Sequence, residues 1–409
     1  LIVIDEISMV RADVIDLIDR ILRTFGGDRR KPFGGKQMLL VGDVFQLEPV
    51  VTSEDKAILQ KEYRNQFFFN AKVFDSFGLA SIELRKVYRQ SDSAFVEILD
   101  RFRAGVPNHA DIRAINSRMA ASEADEGRLV MTLAARRDSV KRINDLHLER
   151  LDAPETVYVG DVTGEFPASS YPTDLELRLK AGAQVIFLRN DPERRFVNGT
   201  LGIVETADSD CLTVRLEDGE TIEVEPVIWE NVSYEYETRT RSVSTRVKGT
   251  FMQFPIKTAW ALTIHKSQGL TFDNVVIDLG RGGAFAGGQV YVALSRCTSL
   301  DGIRLLSGID ARDVFVNPEV LRFSRTFNNI RDQEEALQRA RSYTLLQEAD
   351  TAFAAGRMSE AVERFNSAVE ANPRLNTPAM RRLVAMRLSR SVAAKKPTPK
   401  KRTYGGKKK

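Results

Sequence analysis

Hydrophobic and polar positions follow three different periods along this chain, and each predicts a different architecture. Residues 1–4 and 38–41 are short, continuous apolar runs, the pattern of strands buried on both faces of a parallel sheet. Between them Val10, Val14, Leu17, Ile18, Ile21 and Leu22 fall at helical spacing, predicting a helix over 8–24 that Gly26-Gly27 ends. Further helices are predicted over 94–104, 110–121 and 137–151, with a strand at 129–133. Residues 152–175, rich in Pro, Gly, Ser and Thr, read as irregular. From 183 to 257 the pattern changes to short strands separated by turn signals such as Asn198-Gly199 and Asp218-Gly219, which predicts a small antiparallel barrel. Its polar stretch 238–248 reads as a solvated hairpin strand. Buried α/β patterning returns at 256–264 and 275–278, followed by an amphipathic helix at 289–297. The fold class is therefore α/β, with the barrel inserted in a second α/β domain.

Residues 331–390 are helical and charged. Ala349, Gly356, Ala361, Phe365, Ala368 and Asn372-Pro373 have the spacing of one tetratricopeptide unit. A single unit cannot bury its own face, so a helical hairpin is expected there, with a protein partner as the further use of this region. Residues 391–409 read as a disordered basic tail, carrying eight Lys and Arg from 395 onward and no acid.

Composition narrows the classes. The 409 residues hold 60 Lys plus Arg against 56 Asp plus Glu, a net charge of +4 that the tail alone supplies. Nucleic acid would then be met by a local groove or the tail, not by bulk charge. Two cysteines exclude a disulfide scaffold and a Cys-rich zinc site, and fit a reducing compartment. Three scattered histidines argue against a His-rich metal site. No apolar run is long enough to span a membrane.

Candidate chemistry gathers at the ends of the apolar runs. The first strand ends in Asp5-Glu6. In P-loop NTPases a strand tip of this kind holds magnesium with one carboxylate and polarises the attacking water with the next. The second strand ends in GDVFQLEPV, where Gly42 permits a sharp turn and Gln46 can reach a phosphate or a water. Arg89 in LRKVYRQ and Arg296 at the end of the 289–297 helix are cations suited to phosphoryl charge. Thr263, His265, Lys266, Ser267 and Gln268, closed by Gly269, put short donors after an apolar run, apt for sugar and phosphate contacts, and His265 can also stack on a base.

In order, DEISM, GDVFQLEPV, LRKVYRQ, TIHKSQGLTFD and YVALSRC resemble motifs two to six of superfamily-one DNA helicases. The wording is most similar to the PIF-type, RecD-like branch that moves five-prime to three-prime. PFGGKQMLLVGD, GAQVIFLRND and VNGTLG add to the likeness, which covers about residues 1–308. It implies tandem RecA-like P-loop NTPase domains, an inserted SH3-like β-barrel and a C-terminal helical extension. The expected division is 1–90 for a partial first RecA-like domain, 91–182 with 258–310 for the second, 183–257 for the barrel, 331–390 for the helical region and 391–409 for the tail.

The resemblance implies an ATP-dependent DNA helicase using ATP and Mg²⁺. Its partners would be single-stranded DNA and single-/double-strand junctions, with the chain monomeric and intracellular, in cytosol or nucleus. Roles in repair, recombination and telomere maintenance are implied too. Asp5 resembles the magnesium-holding residue, Glu6 the catalytic carboxylate and Gln46 the γ-phosphate sensor. Arg89 and Arg296 resemble the arginines that reach ATP, and Gly269 joins the nucleotide-side set. Thr263, His265, Lys266, Ser267 and Gln268, with Asn198, resemble the single-strand grip. One departure stands out: no G-x-x-x-x-G-K-[ST] occurs. The expectation is a fragment whose phosphate-loop segment is missing. The rival is a nucleic-acid-binding protein without ATP turnover.

Overall fold

The computed structural model describes residues 1–394 except 77, 91, 121–128, 209–210, 238–241 and 281. The chain divides into two compact units, Leu1–Val73 with Lys86–Leu321, and Phe74–Arg85 with the segment from Arg322 onward. The expected tail at 395–409 and part of the 238–248 stretch lie outside the described residues.

In the first unit, β1 (Ile2–Ile4) is followed by a helical region that differs from expectation. The single helix over 8–24 is a 3-10 turn at Ile7–Met9 and then α1 (Ala12–Phe25). Arg11 breaks it: the residue is extended, and its guanidinium is tied to Asp13 at 2.6 Å and Asp55 at 2.7 Å. β2 (Met38–Leu40) pairs in parallel with β1, and α2 (Ser53–Glu62) starts at Thr52, whose hydroxyl accepts from the Asp55 amide. A short helix, α3 (Val73–Ser76), ends the segment.

After it come α4 (Ser93–Arg103), α5 (His109–Asn116), β3 (Met131–Ala134) and α6 (Arg137–Glu149), all close to their predicted places. The stretch read as irregular is instead partly sheet, holding β4 (Thr156–Val159) and β5 (Asp161–Gly164). Its Thr-Val-Tyr-Val alternation is a strand pattern that the surrounding Pro and Gly obscured. Next are β6 (Glu176–Leu179), β7 (Gln184–Phe187), β8 (Leu201–Ala207), β9 (Leu212–Leu216), β10 (Thr221–Glu223), β11 (Val227–Glu237), β12 (Ser242–Gln253) and β13 (Ile256–Thr258). They form an antiparallel sheet β10-β9-β8-β7-β13, a ribbon β4-β6, and a long hairpin β11-β12 joined by β5. The sheet and ribbon share a core around Tyr158, Leu177, Phe187, Val214 and Ile256.

The chain then returns to β14 (Ala261–Thr263), β15 (Val275–Asp278), α7 (Gln289–Ser295) and β16 (Ile303–Leu305), ending in α8 (Pro318–Ser324). Strand order β14-β3-β15-β16 is parallel throughout, as the continuous apolar runs require. α7 corrects a second expectation: it is not amphipathic, since six of its seven residues, Gln289 and Ser295 included, are buried. Packed against this sheet are Phe95, Ile98, Leu99 and Phe102 of α4, together with Leu47 from the loop after β2.

In the second unit, α9 (Ile330–Ala354) and α10 (Met358–Ala371) pack together over fully or nearly fully buried Ala349, Ala352, Ala361 and Ala368. Small side chains let the two helices approach closely, the hairpin the repeat spacing predicted. α11 (Pro378–Ala394) follows a 3-10 turn capped by the Asn372 side chain.

Phe102, 1% exposed inside the main core, should cost about 3–5 kcal/mol on truncation to Ala. Leu17, half exposed on α1, should cost well under about 1 kcal/mol. Urea unfolding of the two variants checks both; equal costs would contradict this packing.

Candidate functional site

The two strand tips of the first lobe converge because Gly42 lets them. Its φ is +156°, and a Cβ there would lie 2.9 Å from the Ile7 amide nitrogen, so only glycine fits. Glu6 sits beside this crossing in the left-handed region, φ 50° and ψ 43°, an unusual state for a side-chain-bearing residue. The turn leaves Glu6 half-buried and Asp5 exposed, with Asp5 Oδ1 accepting from the Glu6 amide at 2.8 Å.

Beyond Gly42 the loop is pinned to the second lobe. Asp43 accepts from the Arg103 guanidinium at 3.1–3.2 Å and from the Tyr291 hydroxyl at 3.1 Å. Arg103 also lies over the Phe45 ring, 4.4 Å from its centroid. Gly288, at the start of α7, packs so tightly on the Phe45 carbonyl that any side chain there would collide. Leu47 is fully buried in the second lobe's core. Burial and the Asp43 charge push the Tyr291 hydroxyl up, so it stays a donor.

This seam sets the cleft. Gln268 donates to Gln46 Oε1 at 3.1 Å and to Glu6 Oε2 at 3.4 Å, joining three sequence-expected residues in one cluster. Its Oε1 is buried without a partner. A 230 Å³ cavity next to the cluster is lined by Gln46, Arg89, Tyr291 and Arg296 among others. Arg296 is 1% exposed and held by oxygens of Val292, Leu270 and Ser295 at 3.0–3.1 Å, and among the described residues no carboxylate forms an ion pair with it. Burial, then the like charge of Arg89, draws its guanidinium down to about 10, while Glu6 and Asp43 act in the opposite sense. Arg89 is exposed and donates to the Ser295 carbonyl at 3.2 Å. A buried cation bonded only to neutral oxygens, an open Gln oxygen and a nearby carboxylate are what an anionic phosphoryl group and a water would complete.

The other expected residues separate. Thr263 and Ser267 do not present their hydroxyls outward: Ser267 is fully buried and donates to the Ile264 carbonyl at 2.8 Å, while Thr263 accepts from the Lys266 amide. Both shape the turn that carries half-buried His265 and exposed Lys266. Asn198 and Gly269 line a different cavity, of 350 Å³, between the inserted sheet and the 269–273 segment. Asp43, Arg103, Tyr291 and Gln90 were not singled out by sequence. Gln90 is buried and donates to the Ser295 and Cys297 carbonyls at 3.2 and 3.0 Å. Asp43 and Tyr291 stand inside the quoted motifs, but nothing local marks Arg103.

Two lobes with parallel sheets, a carboxylate at one strand tip and a buried arginine lining the adjoining cavity give the architecture of the RecA-like class. A family described as PIF1-like helicase matches residues 1–108. The ATP-dependent DNA helicase Pif1 of Bdellovibrio bacteriovorus is 32% identical over 334 residues, covering 80% of this chain and 71% of that protein. The human ATP-dependent DNA helicase PIF1 is 33% identical over 334 residues, 79% of this chain and 48% of its own length. A Bacteroides Pif1 crystal structure in complex with ADP-AlF3 and ssDNA is 36% identical with a TM-score of 0.64, covering 80% of this chain and 74% of that one. The Candida albicans Pif1 helicase is 29% identical, with TM-score 0.65 and coverages of 79% and 76%. The chain thus spans about half the length of the human relative. It belongs to the PIF1-like helicase family, and its fold is that of tandem RecA-like domains.

The Asp43–Arg103 contact should be cooperative across the seam. Asp43→Asn, Arg103→Met and the double variant, compared by thermal unfolding, should give a coupling of about 0.5–3 kcal/mol. Simple additivity would mean the contact does not hold the lobes.

Proposed function

We propose that the protein carrying this chain is an ATP-dependent DNA helicase that moves five-prime to three-prime on single-stranded DNA and opens duplex at junctions. The supporting observation is the cluster of Glu6, Gln46 and Gln268 beside the cavity that Arg296 lines, a buried cation with no ion-pair partner among the described residues. In this reading Glu6 takes the proton of the attacking water, Gln46 and Gln268 orient it, and Arg89 and Arg296 meet charge on the transferring phosphoryl group. Asp5 would hold Mg²⁺, which would supply neutralisation of phosphate charge when bound. His265, Lys266 and Asn198 face the strand, while Thr263 and Ser267 shape the turn between strand and cleft. The five-part domain division, a monomeric state, an intracellular location and a protein partner for 331–390 belong to the same proposal. Among the described residues no helix is long and apolar enough to cross a membrane.

A second reading, nucleic-acid binding without ATP turnover, rests on the donor segment 263–268 and the Lys-rich tail.

Glu6→Gln should lower DNA-stimulated ATP hydrolysis about 10²–10⁴-fold and leave single-strand affinity unchanged. Parallel loss of both would contradict the role given to Glu6, and strand binding by wild type with no hydrolysis would favour the second reading. Removing residues 395–409 should make DNA affinity less steeply dependent on salt, because fewer counterions are released. An unchanged slope would exclude the tail from the interface.

A further inference from the structure

Away from the cleft, an exposed aromatic ring stands in a cationic corner. Phe285 is 55% exposed. Its ring lies nearly parallel to that of His265, with centroids 6.4 Å apart and an interplanar angle of 18°. The Arg136 guanidinium is 5.9 Å from the Phe285 centroid. The loop beneath the ring is braced: Phe285 donates its amide to Oε1 of buried Gln289 at 3.1 Å, and Ala284 donates to Asp313 Oδ1 at 3.3 Å. Phe285 is therefore held out by built contacts.

Three cations stand around the ring, while the Asp313 carboxylate beneath the loop is engaged by the Ala284 amide. Arg136, Arg137 and Lys266 are exposed, and among the described residues none of the three pairs with a carboxylate. Burial, then Lys257 and Arg137, lowers the Lys266 ammonium, and burial followed by Arg137 lowers His265. A fixed, exposed ring beside unpaired cations matches a ligand with a flat π-face next to an anion.

We propose that Phe285, backed by His265 and flanked by Arg136, is a stacking platform for a nucleobase of single-stranded nucleic acid, with Arg137 and Lys266 meeting the adjoining phosphates. This deepens the helicase reading and rests on its single-strand binding. Every base has a π-face, so the platform accepts any sequence, as a translocating protein requires. It also gives the 259–273 segment and the 282–288 segment a shared task, because His265 on the first supports Phe285 on the second.

The test is fluorescence anisotropy with labelled oligo-dT and with an abasic sugar-phosphate strand of equal length. Phe285→Ala should weaken oligo-dT binding about 5- to 150-fold, and Phe285→Leu, which keeps the apolar bulk, should weaken it similarly. Phe285→Trp should bind as wild type does, and all four proteins should bind the abasic strand alike. Unchanged oligo-dT binding by Phe285→Ala, or equal loss on both strands, would overturn the platform while leaving single-strand binding intact. Failure of wild type to bind either strand would overturn the helicase reading and the platform with it.

Discussion

Everything at the cleft depends on the carboxylate of Asp43. It sits on the loop after β2 and accepts from Arg103 at the end of α4 and from Tyr291 on α7. Three segments remote in sequence are joined at one group. Leu47 is buried behind it in the second lobe's core, so the contact is both charged and packed. With that loop held, Gln46 comes within 3.1 Å of Gln268, and Gln268 within 3.4 Å of Glu6. Side-chain pairs that bridge packed bodies tend to have discrete arrangements.

Arg296 makes the cleft electrostatically unfinished. Burying a guanidinium hydrogen-bonded only to neutral oxygens is costly, and an anionic ligand would offset that cost. Arg89 adds a second cation that disfavours the first until that anion arrives. The same logic holds at Lys266 and Arg137, where unpaired cations surround an exposed ring. Among the described residues these are two anion-poor places, one enclosed and one open. They are linked by the turn from Thr263 to Gln268, whose hydroxyls are used internally to hold its shape.

The inserted strands and the α9–α10 hairpin have cores of their own, built on different principles. The insertion buries aromatic and branched residues between a sheet and a ribbon. The hairpin buries alanines, gaining closeness of backbones instead of side-chain volume.

Much of this was legible along the chain. Parallel strands at 2–4 and 38–40, α4 and α5, and the carboxylate pair at the first strand tip all follow from local periodicity and local chemistry. So did the family itself, because short motifs are encoded by neighbouring residues. Other features were not legible. The helix over 8–24 was broken by Arg11 reaching Asp55, and strands within 152–175 became visible only through their partners β6 and β12. α7 looked amphipathic, yet packing covers almost all of its sides. Ser267 reads as a ligand donor until its burial is seen, and Arg103 reads as an ordinary helix-end charge until it is found on Asp43. Spacing reports what a residue can do with its near neighbours. Which distant partner it meets, and on which side water is excluded, is decided only when the elements pack.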